Sequence, residues 1–175
     1  MRIPIESSTS YRGRNSRTNW VSMAGWVGLA LGVGALAAAF SPRFSAAAAH
    51  WYAMLVKPPW LPPQEWFGPI WTVLYASMGL AAWAVWRETY HRGRGAAITA
   101  YAAQLFLNAL WAPVFFGLNN IGAALFNSVA LWLAIAWTMR EFARVSTVAA
   151  FLLVPYFLWV TFTAATTLAI WKLNP

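Results

Sequence analysis

The sequence predicts an all-α membrane protein, a bundle of five transmembrane helices with a Pro/Trp-rich loop between the first and the second. Three observations predict it. The 175-residue chain is 61% hydrophobic and only 9% charged, against about 25% charged in a soluble domain. Its apolar residues fall into five blocks, each able to supply the ~20 helical residues that cross a hydrocarbon core. Arginine clusters lie before the first block and after the second and fourth, as expected for a chain that crosses a bilayer back and forth. The length fits one domain. There are 13 tryptophans and no cysteine, which excludes disulfides, thiolate chemistry and cysteine-ligated metals.

Residues 1–19 form a polar tail with Arg2, Arg12, Arg14, Arg17 and the single acid Glu6. Two readings stand side by side: a disordered, basic membrane-proximal tail, or an Arg- and Ser-rich transit segment. Residues 20–175 form the membrane domain. Residues 20–40 carry no charge and make the first span. Ala37-Ala38-Ala39 resembles a signal-peptide cleavage site, but the apolar core exceeds the usual ~7–15 residues, so the helix is retained. Gly28 and Gly32, with Ala24 one turn earlier, make a small-residue row that invites close helix packing, within the chain or from another helix.

The stretch Trp51–Tyr75 organises the rest. It holds five prolines, four tryptophans and two tyrosines. The pairs Pro58-Pro59 and Pro62-Pro63 fix φ and remove donors, which predicts a stiff, irregular connection through Pro63. The second span then runs from about Gln64 to Trp86, with Glu65 suiting the positive end of the helix dipole. Trp71 and Tyr75, one turn apart, share a face. A rigid aromatic loop leading into an aromatic helix can close over a flat, apolar ligand. The third span covers about Gly95–Gly117. Asn119-Asn120 make a tight turn, and the fourth span covers about Ile121–Met139. Arg140, Glu141 and Arg144 then read as a loop. The fifth span covers about Val145–Trp171, and Pro155 permits a bend in it.

Nine of the twelve Lys/Arg residues fall on the side of the N-terminus; Arg43, Lys57 and Lys172 fall on the other. This bias predicts a cytoplasmic N-terminus and an aromatic loop on the far side. The net charge of +8 suits anionic headgroups, and no nucleic-acid motif is present. No Asp, Glu, Lys, Arg or His lies at mid-membrane depth, where pumps and proton-coupled transporters keep ionisable groups. Binding and passive conduction remain. His50 and His91 fall in loops on opposite sides, which argues against a shared metal site or a Ser/His/Asp set.

The polar groups inside the spans are uncharged. Tyr101, Gln104, Asn108 and Trp111 follow one face of the third span, and Tyr156, Trp159 and Thr163 share a face of the fifth. Gln104 and Asn108 have two readings: hydrogen bonds to a neighbouring helix, or polar anchors of a mostly apolar pocket. Trp20, Trp66, Trp86 and Trp171 sit where headgroup belts recruit tryptophan.

These residues match a known pattern. Trp51-Tyr52, Lys57-Pro58, Trp60, Pro62-Pro63, Phe67-Gly68-Pro69-Ile70-Trp71-Thr72-Val73-Leu74-Tyr75, Met78-Gly79 and Ala81-Ala82-Trp83 lead it. Ala103-Gln104, Asn108, Trp111, Pro113-Val114-Phe115-Phe116, Pro155-Tyr156-Phe157-Leu158-Trp159, Phe162 and Ile170-Trp171-Lys172-Leu173-Asn174 continue it. Over residues 20–174 the chain resembles the translocator protein family, also called tryptophan-rich sensory proteins or peripheral-type benzodiazepine receptors. The resemblance implies a pocket lidded by the first loop. It implies binding of protoporphyrin IX or heme, and of synthetic isoquinoline carboxamide or benzodiazepine ligands, with no obligatory cofactor. It also implies homodimers formed through faces away from the pocket. Trp71 and Trp159 match the two tryptophans associated in some members with light-dependent porphyrin breakdown, so they are the candidate photochemical residues.

The candidate ligand-binding set is Trp51, Tyr52, Pro62, Trp71, Tyr75, Gln104, Asn108, Trp111, Trp159, Phe162 and Thr163. The expected role is a sensor or receptor, the rival role a passive transporter of porphyrins or other small apolar molecules. The expected membrane is bacterial, or the mitochondrial outer membrane in a eukaryote. Five positions depart from the family pattern. Glu65 stands where Trp is usual, Thr167 where Asn is common, and Thr163 where a smaller residue is usual. Leu168-Ala169 replace the tyrosines of the animal cholesterol motif, so cholesterol binding does not carry over.

Overall fold

The computed structural model describes residues 9–175, with side chains from Asn19 onward. Residues 1–8 of the basic tail read at 1–19 therefore lie outside the described residues, and from Thr9 onward its backbone is helical and continuous with the first span. The elements are α1 (Thr9–Ala38), α2 (Ala46–Met54), α3 (Phe67–Trp86), α4 (Arg94–Ala112), α5 (Ile121–Val145), α6 (Thr147–Leu152) and α7 (Val154–Leu173). Five segments are long and apolar enough to cross a bilayer: Asn19–Ala38, Gln64–Trp86, Arg94–Gly117, Ile121–Val145 and Thr147–Leu173. The protein is a five-helix membrane bundle, as the apolar blocks predict. Trp20, Trp66, Trp86 and Trp171 are all exposed near span ends, which fits the headgroup-belt reading.

Three boundaries differ from the expectation. First, Trp51 and Tyr52 belong to a short helix, α2, and not to an irregular loop. Ser45 caps it, its Oγ accepting from the Ala48 amide at 3.3 Å, and four alanines follow. The chain leaves the helix at Leu55, which is extended, ahead of the paired prolines. Second, Arg140, Glu141 and Arg144 lie within α5, which continues to Val145. Glu141 is buried, and its two oxygens accept from Arg144 Nη1 at 2.7 and 2.9 Å, so the last turns keep their charges paired and need not unwind. Third, the fifth span is two helices. Pro155 sits in the first turn of α7, where its missing N–H breaks the ladder. Ser77 Oγ satisfies a carbonyl at the break, donating to Leu152 O at 2.6 Å.

α1 packs along α3, α4 along α5, and α5 along α7, while α6 wedges against α3 and α5. Small residues set the closest approaches. A Cβ placed on Gly79 would lie 2.5 Å from Val27 Cα, so α1 and α3 touch backbone to backbone. The row Ala24, Gly28 and Gly32 takes no part in this packing. Ala24 is exposed, and a Cβ on Gly28 or Gly32 would meet nothing within 4 Å. Away from the Pro/Trp-rich loop the bundle is filled by Val85, Ala97, Tyr101, Ile135, Phe142 and Leu153, all essentially buried.

Candidate functional site

At the loop end the bundle encloses a cavity of about 1480 Å³. This exceeds the ~300–1,000 Å³ of ordinary small-molecule sites. Every span supplies part of its wall. α1 gives Leu31, Gly34, Ala37 and Ala38; α3 gives Trp71 and Tyr75; the end of α4 gives Asn108 and Trp111. Ser128 and Leu131 come from α5, and Val160, Thr163, Thr166 and Thr167 from α7. Tyr52 and Leu61 reach in from the loop. Gly34 makes the Tyr75 position possible, since a Cβ there would lie 2.5 Å from the Tyr75 ring.

A hydrogen-bonded chain closes the floor. Tyr75 O–H donates to Asn108 Oδ1. Asn108 Nδ2 donates to the Tyr156 oxygen at 2.7 Å, and Tyr156 O–H donates to Gln104 Oε1 at 2.9 Å. The interhelical hydrogen bonds read for Gln104 and Asn108 are present. Asn108 joins helices and also lines the cavity; Gln104 joins helices below it. Buried amides of this kind are expensive to leave unpaired, so the network holds α3, α4 and α7 in one register.

An aromatic block forms the wall beneath the loop. After Pro113 the α4 ladder widens to a π turn, with the Leu118 amide donating to Pro113 O at 2.9 Å. π turns are frequent at functional sites, and this one carries Phe115 and Phe116 to the cavity. Trp111 stacks on Phe115, centroids 4.9 Å apart and planes at 13°, and its Nε1 donates to Ser128 Oγ at 2.9 Å. Trp51 packs edge-on against the other side of Phe115, at 5.3 Å, and so supports the wall from behind. Tyr52 lines the cavity, with the Lys57 ammonium 4.6 Å from its ring centroid. Burial raises the Tyr52 phenol above its ordinary pKa, so it stays neutral through the physiological range.

Of the candidate set, Tyr52, Trp71, Tyr75, Asn108, Trp111 and Thr163 meet around this cavity. The other five sit around it. Pro62 lines a smaller adjoining cavity under the loop. Gln104 lies beneath the floor and Trp51 behind the wall. Trp159 packs between Phe67 at 5.6 Å and Phe162 at 5.3 Å, with its Nε1 buried and without an acceptor. Phe162 in turn receives Trp60 of the loop at 5.7 Å.

Three contributors escape the sequence reading. Gly34 and Ser128 reach the cavity from spans that carry no polar-aromatic face, and nothing in their local pattern signals it. Asn174 fastens the loop. The Val56 amide donates to Asn174 Oδ1 at 2.9 Å, and Asn174 Nδ2 donates to Val56 O at 3.0 Å and to Ile170 O at 2.8 Å. This two-point pairing ties the lid to the end of α7. The Thr163, Thr166, Thr167 spacing was a usable signal, since i, i+3 and i+4 place all three on one face.

Known proteins are similar to this chain in sequence. The model of the TspO/MBR family matches residues 26–172. The "Tryptophan-rich protein TspO" of Chlorobaculum tepidum is 39% identical over 156 residues, covering 89% of this chain and 97% of that protein. The "Tryptophan-rich sensory protein" of Cereibacter sphaeroides is 45% identical over 112 residues, 64% of this chain and 69% of its own. The human "Translocator protein" is 39% identical over 127 residues, 71% of this chain and 75% of its own. The matched region spans all five membrane helices, the lid and the cavity wall, and the chain belongs to the TspO/MBR family.

Proposed function

We propose that this protein is a membrane receptor for tetrapyrroles such as protoporphyrin IX and heme, held in the cavity beneath the lid, and that Trp71 supports their light-dependent breakdown. The observation that carries the reading is the cavity itself: about 1480 Å³, walled largely by aromatic and small apolar side chains, with Tyr75 and Asn108 at its floor and Arg43 and Glu65 at its mouth. A flat macrocycle offers large faces for Tyr52, Trp71 and Trp111. The indole of Trp71 is easily oxidised, and next to a photoexcited ring it can give up an electron. The Tyr75–Asn108–Tyr156–Gln104 network and the filled inner half of the bundle favour holding a ligand over conducting one. Titration of purified protein with protoporphyrin IX, followed by tryptophan fluorescence, should show saturable quenching. A linear, non-saturating decline would overturn the reading.

The proposal extends to synthetic isoquinoline carboxamide ligands, which would enter the same cavity. Thr163 lines it and donates its hydroxyl to Val160 O at 3.1 Å. It adds bulk where the family pattern has a smaller residue, and overpacking costs about 1–3 kcal/mol. Isoquinoline carboxamides should therefore bind weakly beside ordinary porphyrin binding. Thr163→Ala should strengthen carboxamide binding about tenfold and leave porphyrin affinity nearly unchanged in competition assays. No change in either would mean that Thr163 does not meet these ligands.

The charge bias supports an orientation with the N-terminus, the α3–α4 turn and the end of α5 in the cytoplasm, and the cavity mouth on the opposite face. Reporter fusions at the two ends should give opposite signals. Equal signals would contradict this orientation.

A further inference from the structure

The mouth of the cavity carries two positive charges that the receptor reading leaves unused. Arg43, between α1 and α2, lines the main cavity, and its Nη1 lies beside Gly68 at the start of α3. Lys57 lines the adjoining cavity of about 420 Å³. The two cavities share a wall, because Pro42, Tyr52, Leu61 and Gln64 border both. Among the described residues neither cation has an acidic partner: the ion pairs there are those of Glu141 with Arg140 and Arg144. Glu65 also lines the main mouth and pairs with neither.

Lys57 is held inward. Its ammonium sits 4.6 Å from the Tyr52 ring centroid and donates once, to Leu55 O at 3.0 Å, which leaves two N–H groups free. An interfacial lysine usually extends its charge outward to water and headgroups; this one is half-buried and turned to the cavity wall. Arg43 makes no side-chain hydrogen bond among the described residues, so its whole planar fork is available, a shape suited to a carboxylate.

We infer that Arg43 and Lys57 form an acid-receiving rim, which engages the free carboxylates of the ligand and makes these two residues determinants of specificity. The ligand's flat apolar body fills the main cavity. One acid group meets Arg43, and a second enters the adjoining cavity to meet Lys57. This rests on the receptor reading for the body of the ligand and adds the requirement for free acid groups. It selects a diacid over its ester or over a neutral molecule of the same shape. The competing source of anions is lipid phosphate, drawn to any cation on this face. Lys172 provides the comparison: it lies on the same face, in the last turn of α7, and lines neither cavity.

The test compares protoporphyrin IX with its dimethyl ester, which has the same ring and no charge, by tryptophan quenching in a neutral detergent. The wild-type protein should bind the diacid about tenfold more tightly than the ester, the scale of one charged hydrogen bond at a half-exposed site. Higher salt should narrow the gap. Arg43→Gln and Lys57→Gln should each weaken the diacid and leave the ester unchanged, while Lys172→Gln should affect neither. Equal binding of diacid and ester by the wild type overturns the rim and leaves the receptor reading standing; this comparison needs no variant to fold. Loss of diacid affinity in Lys172→Gln equal to that in Arg43→Gln also overturns it, in favour of a general surface charge. Failure of both porphyrins to bind overturns the rim and the receptor reading together.

Discussion

Trp71→Phe is expected to slow light-driven loss of bound protoporphyrin IX by about tenfold or more, while Trp159→Phe slows it far less. Phenylalanine keeps an aromatic face but removes the readily oxidised indole. Affinity should therefore change by less than about tenfold, or 1.4 kcal/mol, and the effect should fall on chemistry. The two tryptophans differ in position. Trp71 lines the cavity and packs against Tyr75 at 5.6 Å and Tyr156 at 6.3 Å. Trp159 does not line it and is flanked by Phe67 and Phe162, so electron transfer from it must cross an additional ring. Its Nε1 has no acceptor, so the Phe variant loses no hydrogen bond and should fold normally. Absorbance of the porphyrin under steady illumination checks the prediction. Equal losses in the two single variants would mean that the ligand reaches Trp159. Wild-type rates in the double variant would remove tryptophan from the chemistry.

Gly79→Ala is expected to destabilise the bundle by about 2–3 kcal/mol, measured by thermal or denaturant unfolding in detergent. The new Cβ would stand 2.5 Å from Val27 Cα and 2.9 Å from Trp26 O. These are backbone atoms and cannot rotate away, so α1 must move off α3. Overpacking typically costs about 1–3 kcal/mol, and close small-residue contacts are a main source of helix association in membranes. The shift would also disturb Trp26, which packs on Trp86 at 5.4 Å and on Tyr101 at 6.0 Å. Gly25→Ala on the outer face of α1 is the control. Nothing lies within 4 Å of its Cβ position, and alanine is the better helix former by about 1 kcal/mol, so stability should hold or rise. Equal losses at both glycines would show that α1 and α3 do not meet at Gly79.

Local sequence determined the spans. The second was legible from Gln64 to Trp86 and the others to within about two residues, save the end of the fourth, read at Met139 and found at Val145, because an apolar helical stretch of bilayer length has nowhere else to go. Where it misled, a local competitor decided. Ser45 and four alanines make a helix of a segment read as irregular loop, and the Glu141–Arg144 pair carries α5 through residues read as a turn. The shared face of Tyr101, Gln104 and Asn108 followed from spacing alone, while Pro155 signalled a bend and the structure has a full break between two helices there.

The cavity wall was decided by tertiary structure. Trp71 and Trp159 look alike in sequence, each an aromatic in a helical face, yet one borders the cavity and the other sits outside its wall, packed between Phe67 and Phe162. Gly28 and Gly32 form a recognised packing row and touch nothing in the described chain, while Gly34 and Gly79, outside that row, make the closest contacts. Asn174 ties the lid to α7 through Val56, 118 residues away in the chain. Hydrophobicity and helical period depend on neighbours within a turn or two, so they can be read along the chain. The face a helix turns to its partners, and the space left between them, depend on how all five helices pack together, and that exists only in three dimensions.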